Sequence, residues 1–539
     1  MKITKVKIEN YKSIKTLEFK PSPKINVIIG ENSVGKSNII EAIYWLLGHS
    51  YPTFNATRTI DHYMGNTENK INISLDFDDM TNISLSEIWE DTYGNVRSGL
   101  NKHNKYYINN DERQRYCSAY LDVRRDIVDY LPSNRWSLLG RFLQDVNKIF
   151  MEEKTSEDKL KSEILTERLT KIRDELLFSV QDEEGNRILP EFLNHVSDEC
   201  AKQLNRNPEE FKLDMNLYDP WNFYKTLQIL VTDPEIGLEF QASEMGMGVQ
   251  ASLSIAILKA YSKLKLANNT PIFIDEPELF LHPQAQRNFY NILKELADSG
   301  TQIFLTTHSP AFIDLSHFDQ IILVRKDRDR GTYVNMANTQ NLCRLLSPNP
   351  NNPLSENQLM EKCEYKYNYT GNTQKANEGF FASKIILVEG ASDALIIPYL
   401  FELIGFNYIA ENISIVSCGS KNAIPTFYHL YSEFGIPCYV IFDGDKGKRD
   451  KTETETIKWN KEILSLFGEV DLEYPDGIPQ KYYLGFTGCL EDNLGPEIKP
   501  DKRSKGLDLY VKVRKNIRDK TDVPEWVTGV YSRLQELSR

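Results

Sequence analysis

The sequence predicts an α/β protein made of two successive α/β units, the first interrupted by a mainly helical insertion. Three observations predict it. A glycine-rich turn sits between a strand pattern and a helical one in KINVIIGENSVGKSNIIEAIYWLLG. The strand-like runs TPIFIDEP, TQIFLTTHS and QIILVRKD alternate with helical segments at 249–265 and 284–299, as expected of an α/β core. From about residue 380 the alternation resumes with KIILVEG, ASDALIIPYLFELIG, ISIVSCG and PCYVIFDGD.

Along the chain, residues 1–30 read as two strands, KITKVKIENY and KINVIIG, joined by a polar, proline-bearing turn, and INISLDFDD at 71–79 reads as another. Between about 95 and 230 charged, helix-favouring sequence takes over. There Leu160, Ile164, Leu169, Ile172 and Leu176 recur every three to five residues in one apolar stripe. The stripe fits a projecting arm, and equally a helix packed on its own domain. Strands return with GLEFQAS, and the stretch around 344–376, rich in Pro, Asn and other polar residues, reads as a linker. The expected boundaries are 1–94 and 231–343 for the two parts of the first unit, 95–230 for the insertion, 344–379 for the linker and 380–539 for the second unit.

A length of 539 residues requires two or three domains. With 40% hydrophobic and 26% charged residues, and no apolar run near the roughly 20 that a membrane span needs, the composition excludes a transmembrane protein and wholesale disorder. The N-terminus alternates apolar and charged residues, unlike a secretory signal, so a cytoplasmic protein is expected. Seven scattered cysteines with no C-x-x-C pair argue against a disulfide framework or zinc knuckle.

Gly30-Glu-Asn-Ser-Val-Gly35-Lys36-Ser37 satisfies G-x-x-x-x-G-K-[ST] in full. In such a loop glycines let backbone amides close around phosphates. Lys36 brings a point charge to the outer phosphates, and the Ser37 hydroxyl completes Mg2+ coordination. Asn32 and Asn38 belong to the same nucleotide-binding set. Ile272-Phe273-Ile274-Asp275-Glu276 ends an apolar strand on adjacent carboxylates, Asp275 suited to Mg2+ and Glu276 to general base. FLTTHS ends the next strand on His308, placed to sense the γ-phosphate. ATP is the expected cofactor.

NYKSIKTLEF with NVIIGENSVGKSNIIEAI resembles the start of ABC-type ATPases of the chromosome-maintenance and recombination-repair kind. The resemblance implies a P-loop ATPase head in which Gly30 to Ser37 form the Walker A loop, Asp275-Glu276 the Walker B carboxylate and base, and His308 the switch histidine. It also implies a signature loop before a helix, where SEMGMGVQASLSIAIL stands at 243–258. Met247, Gly248 and Val249, followed by Gln250, replace the usual serine and paired glycines. That loop touches the nucleotide of a partner subunit in such ATPases, so the departure bears on hydrolysis rate and nucleotide-driven dimerisation.

In the second unit, Leu387-Val388-Glu389-Gly390 ends a strand on a carboxylate, and Asp393 is expected one helical turn further on the same face. Val440-Ile441-Phe442-Asp443-Gly444-Asp445 ends another strand on two carboxylates, expected to point the same way in an extended segment. Four acids at the ends of parallel strands make a hard oxygen site for Mg2+ or Mn2+. Two such ions clamp the attacking and leaving oxygens of a phosphodiester.

This order and spacing resembles the Toprim domain of topoisomerases, primases and certain nucleases. An ABC-type ATPase followed by Toprim resembles the OLD (overcoming lysogenisation defect) nucleases, over about residues 1–80, 235–330 and 380–495. The resemblance implies an ATP-regulated, metal-dependent DNA endonuclease of the kind found in bacterial anti-phage systems. It implies a further metal acid, matched by Glu491, and a lysine that steadies transition-state charge, matched by Lys505 with Lys502 as runner-up. It also implies a homodimer or higher homo-oligomer, and leaves open an operon-encoded partner such as a helicase-like protein or a reverse transcriptase with its DNA product. A non-nucleolytic clamp or sensor ATPase and a nuclease acting on RNA are the alternatives.

A uniformly spread net charge of −13 would repel a nucleic-acid substrate. The charge is uneven, however. From Lys499 to Lys520 nine Lys or Arg stand against three Asp, a local +6, and Lys446, Lys448, Arg449 and Lys451 follow the D-x-D. Contact with phosphates is therefore expected to be confined to the C-terminal unit and sensitive to salt.

Overall fold

A computed structural model of the chain describes residues 1–48, 51–109, 112–113, 116, 118–122, 146–155, 158–204, 207, 230–232, 237–241, 244–246, 248–250, 253, 256–257, 260, 271–349, 351–371, 373–447, 453–495, 497–498 and 505–537. It divides into two compact units, Met1–Asp122 with Asn269–Arg539, and Val123–Asn268.

The first unit opens with the antiparallel hairpin β1 (Ile3–Tyr11) and β2 (Ile14–Phe19), then β3 (Ile25–Ile29), the glycine loop and α1 (Lys36–Leu47). The expected single N-terminal strand is thus a hairpin, folded at Lys12-Ser13. On α1, Ile39, Ile40, Ile43, Leu46 and Leu47 are all buried, the stripe their spacing predicts. They pack against β1, β4 (Asn72–Phe77) and the inner strands of one large sheet. β5 (Asn82–Glu90), β6 (Val96–Lys102) and the short β7 (Tyr106–Tyr107) continue β4 as an antiparallel meander, and β8 (Ala119–Asp122) joins the far edge of the sheet. The stretch from 95, expected to be mainly helical, therefore begins with three strands. Their sequences, the largely polar VRSGLNK and the short YY and AYLD, lack the apolar alternation that marks half-buried strands.

The second unit is described in parts. Helix α2 (Lys161–Ile172) runs into a π-helical turn at Arg173–Leu177, and α3 (Ile188–Leu204) follows. Of the apolar stripe, Leu160, Ile164 and Leu169 are half-buried while Ile172 and Leu176 are exposed. A hairpin pairs β9 (Leu230–Thr232) with β10 (Glu239–Gln241). In the signature-like segment a helical turn starts at Gly248, Gln250 Nε2 donates to Met245 O at 2.5 Å, and Met247 lies outside the described residues.

The chain returns to the large sheet with β11 (Ile272–Asp275), α4 (Pro283–Asp298), β12 (Ile303–Thr306), β13 (Ile321–Asp327) and β14 (Gly331–Asn335). The twelve strands run β7-β6-β5-β4-β1-β2-β14-β13-β3-β12-β11-β8. From β13 to β8 neighbours are parallel, so β3, β12 and β11 end side by side.

The expected linker is ordered into helices α5 (Thr339–Leu345), α6 (Glu356–Tyr369) and α7 (Thr373–Glu378). Ser355 and Gln358 form a capping box on α6, which buries Leu359, Cys363 and Tyr367 at four-residue intervals. Next come β15 (Lys384–Val388), α8 (Ala391–Leu403), β16 (Ile413–Ser417), α9 (Ile424–Glu433), β17 (Cys438–Asp443), α10 (Glu453–Ser465) and β18 (Tyr483–Phe486). Helices α11 (Lys505–Asn516) and α12 (Glu525–Glu536) complete the chain. All four strands are parallel, in the order β16-β15-β17-β18. Ile396, Leu400, Leu509, Val513, Val530 and Leu534 pack in the core beside β15 and β17. Among the described residues no helix is long and apolar enough to cross a membrane.

Gln302, fully buried before β12, holds the start of β1. Its Oε1 accepts from Ile3 N at 2.7 Å and its Nε2 donates to Ile3 O and Ser22 O, each at 2.9 Å. Gln302→Leu should cost about 3 kcal/mol, because the partner groups stay buried. The check is a fall in denaturation midpoint that Gln302→Glu does not repair.

Candidate functional site

The first constellation lies where β3, β12 and β11 end. Gly35 caps α1 with φ 106, and a Cβ there would stand 2.5 Å from both Ser13 Oγ and Thr332 Oγ1, so glycine is required for conformation and for space. Thr332 Oγ1 donates to Val34 O at 2.6 Å and lies 2.7 Å from Ser13 Oγ, which accepts from Asn38 Nδ2 at 2.7 Å. The loop is thereby tied to the β1–β2 turn and to β14. Lys36 is buried, its Nζ donating to Gly30 O at 3.1 Å and Glu31 O at 3.0 Å. Asn32 is exposed and Ser37 half-buried. Loop amides and the N-terminus of a twelve-residue helix converge there as they do on bound phosphate.

Asp275, 4% exposed, closes β11 and accepts from Thr306 Oγ1 at the end of β12. Glu276 then turns left-handed (φ 46), its N–H bonded to Thr306 O at 3.1 Å. His308 Nε2 stands 3.7 Å from Glu276 Oε1, while His308 N donates to Glu278 Oε1 at 2.5 Å. Burial pushes the Glu278 carboxyl up from its usual range, against the pull of that N–H. The structure thus brings Asp275, Glu276 and His308 to adjacent strand ends beside the strand that enters the glycine loop, and adds Glu278 and Thr306, which the motif reading passed over. The T-x-H ending of β12 was the available signal for Thr306.

The second constellation lies at the same end of the small sheet. The chain runs from β15 outward to β16 and back across to β17, so β15 and β17 are neighbours whose connections depart in opposite directions. This is the place where α/β sheets bind ligands beyond their carboxyl ends. Glu389 follows β15 and Asp443 ends β17. Asp393 does not continue a helix begun at Glu389. It is the third residue of α8, and its Oδ2 caps Gly390 N at 2.8 Å.

The D-x-D segment likewise does not stay extended. Gly444 N bonds Phe486 O at 2.6 Å, Asp445 N bonds Gly488 O at 2.7 Å and Lys446 N bonds Thr487 O at 3.1 Å. This bends the chain against the exit of β18 and leaves Asp445 left-handed (φ 59). Asp443 and Asp445 therefore take different partners. Asp443 Oδ1 accepts from Leu490 N at 2.9 Å, whereas Asp445 Oδ2 lies 3.0 Å from Lys421 Nζ.

Leu490 opens the short turn Leu490–Asn493, which brings Glu491 next to the residue bonded to Asp443. Burial, with hydrogen bonds to Glu491 and Asp492, pushes the Cys489 thiol up from its usual range. Lys505 begins α11. Lys502 lies outside the described residues, as do Lys448, Arg449, Lys451, Lys499 and Arg503.

Lys421, only 5% exposed, was missed from sequence. It follows β16, two strands from β17, so its ammonium reaches past the end of β15 to meet Asp445. Lysine at the turn after a strand is ordinarily a surface charge, and only the preceding C-G-S hinted at a tight approach.

The donors at this end are carboxylate oxygens, which suit a hard divalent cation. Among the described residues no three Asp, Glu, His or Cys side chains form a ready-made cluster. The carboxylates are instead held singly, Asp443 by Leu490 N, Asp393 by Gly390 N and Asp445 by Lys421.

The family model described as "AAA domain, putative AbiEii toxin, Type IV TA system" matches residues 25–314, more than half of the chain. That described as "Overcoming lysogenization defect protein-like, TOPRIM domain" matches 380–445. The chain is similar to an OLD nuclease of Thermus scotoductus, 27% identical over 481 residues and covering 85% of each chain. It is 21% identical to the Old nuclease of Escherichia phage P2, covering 83% of this chain and 77% of the other. It is also 21% identical to the endonuclease GajA of Bacillus cereus, covering 89% and 82%.

Two substitutions test how the second site is built. A Cβ at Gly444 would stand 2.4 Å from Phe486 O and 2.6 Å from Thr487 O. Gly444→Ala should therefore separate the turn from β18 and cost about 1–3 kcal/mol, read as a lowered thermal midpoint. Lys421→Met removes the buried ammonium beside Asp445 and should cost about 3–5 kcal/mol, with partial recovery in Lys421→Arg by the same measurement.

Proposed function

We propose that this chain, which belongs to the AAA-domain family matched over more than half its length and carries an OLD-like Toprim domain behind that region, is an ATP-regulated, divalent-metal-dependent DNA endonuclease. The observation that carries the reading is the crossover between β15 and β17, which sets Glu389 and the Asp443-Gly444-Asp445 turn at neighbouring strand ends.

In this reading Glu389, Asp393, Asp443, Asp445 and Glu491 hold Mg2+ or Mn2+. A bound divalent cation supplies Lewis-acid polarisation of the scissile phosphate and a nucleophile at neutral pH. The chain's own groups hold three of those carboxylates, Asp393, Asp443 and Asp445, in place. The hydrogen bond from Leu490 N orients Asp443, and the Lys421 ammonium offsets the charge of Asp445. Lys505 counters charge building on the phosphate. In the head, Gly30, Asn32, Gly35, Lys36, Ser37 and Asn38 hold the nucleotide, with Ser37 and Asp275 at its Mg2+. Glu276 orients the attacking water and His308, 3.7 Å from it, reads the γ-phosphate. The reading extends to a cytoplasmic homo-oligomer and, through the likeness to the endonuclease GajA, to anti-phage defence, with or without an operon-encoded partner.

Purified protein incubated with supercoiled plasmid and Mg2+ or Mn2+ should nick or linearise it, and a chelator should stop the reaction. Asp443→Ala should lower the rate by about a hundredfold or more, since a lost metal ligand removes several kcal/mol of transition-state stabilisation. A structured RNA digested in parallel distinguishes the substrate class. Absence of nicking with either metal, or undiminished nicking by Asp443→Ala, contradicts the proposal.

A further inference from the structure

We propose that Asn377 is a positioning residue through which the nucleotide state at the switch histidine reaches the Toprim carboxylates; this rests on the reading above, in which nucleotide regulates cleavage. The segment after His308 is built as a unit. Ser309 Oγ caps the turn Pro310–Phe312 by accepting from Ala311 N at 3.2 Å, and donates to Gln286 Oε1 at 2.7 Å. Phe312, fully buried, packs edge-on to Phe289 and Tyr290 of α4, with ring centroids 6.0 and 6.2 Å away. Lys294 on the same helix pairs with Asp314 at 2.9 Å. The turn is therefore tied to His308 at one end and to α4 at its side.

The other face of this turn is held by α7, the helix that leads into the Toprim unit. Asn377, 5% exposed on α7, donates through Nδ2 to Pro310 O at 3.0 Å and to Ile313 O at 2.7 Å, and its Oδ1 accepts from Tyr367 OH at 3.1 Å. All three bonds are local to a buried amide, so a shift of the turn must either break them or carry α7 with it. Ala376 O beside it accepts from the buried Tyr431 OH at 2.6 Å. Three residues on, Phe380 packs on Tyr431 at 5.3 Å and Phe434 at 5.1 Å. The chain then enters β15, which Glu389 directly follows. A second fastening meets the neighbouring strand. Asn335 Nδ2 of β14 donates to Phe434 O at 2.8 Å, and Asn338 N donates to Glu433 Oε2 at 3.1 Å, just ahead of β17 and Asp443. Both strands that present carboxylates are thus entered from residues fixed to the head. Asn377 is the fixing point that lies against the segment following His308.

The test is the ratio of plasmid nicking with and without a non-hydrolysable ATP analogue. In wild type this ratio should differ from one by about fivefold or more. In Asn377→Ala it should fall close to one, while analogue affinity and nucleotide-free, metal-dependent nicking stay near wild type and Asn377→Gln restores part of the response. A wild-type ratio of one counts against nucleotide regulation itself. A wild-type response retained in full by Asn377→Ala overturns the role of Asn377 alone. A measurement independent of any variant is amide hydrogen exchange on the wild-type protein: the analogue should alter exchange at both 311–314 and 376–389, and a change confined to the first segment overturns the inference.

Discussion

Parallel strands deliver their carboxyl ends to one side of a sheet, and both constellations follow from that constraint. Each apolar run is buried along its length, so carboxylates gather where it ends. Asp275 closes β11 after Ile272-Phe273-Ile274 with Glu276 next, and Asp443 closes β17 after Val440-Ile441-Phe442. In each case a carboxylate at the end of the run lies in left-handed backbone, Glu276 at φ 46 and Asp445 at φ 59. Such conformations persist only where surrounding bonds over-determine them. Thr306 O holds the first, and the exit of β18 holds the second.

Much of this was legible in the residues. The glycine loop, its strand and its helix announce themselves because a tight loop needs Gly35 and the helix needs an apolar stripe. The acidic strand ends are legible because an apolar strand followed at once by carboxylates has few other uses. Side-chain direction was not legible. Spacing of two in Asp443 and Asp445 promised a shared face, but bonds to residues more than forty positions downstream turn the chain between them. Lys421 escaped for the same reason, since its partner lies 24 residues away and two strands across. The stretch after residue 344 read as linker from its Pro and Asn content. The spacing of Leu359, Cys363 and Tyr367, with a capping box ahead of it, was the stronger signal. Strands β6 to β8 carried no periodic signal, because β6 is largely polar, β7 and β8 are two and four residues long, and all are held by neighbours already in the sheet.

The net charge of −13 also takes on a local meaning. At the two strand-end constellations three carboxylates are met by a donor or cation: Thr306 at Asp275, the Leu490 amide at Asp443, Lys421 at Asp445. The basic helix α11 and Lys446 belong to the Toprim side. The charge balance of the whole chain therefore says little about what that side can hold.

The aromatic joint of Phe380, Tyr431 and Phe434, with the amides and carbonyls clamped by Asn377 and Asn335, bears on how this architecture can be rearranged. A Toprim segment cut away at residue 380 would leave behind α6 and α7, lose the acceptor that Ala376 offers Tyr431, and open a face of large rings to water. Such a piece is not portable. Grafting this nuclease module onto another regulator would have to begin near residue 338 and bring the buried helices along as part of the cargo.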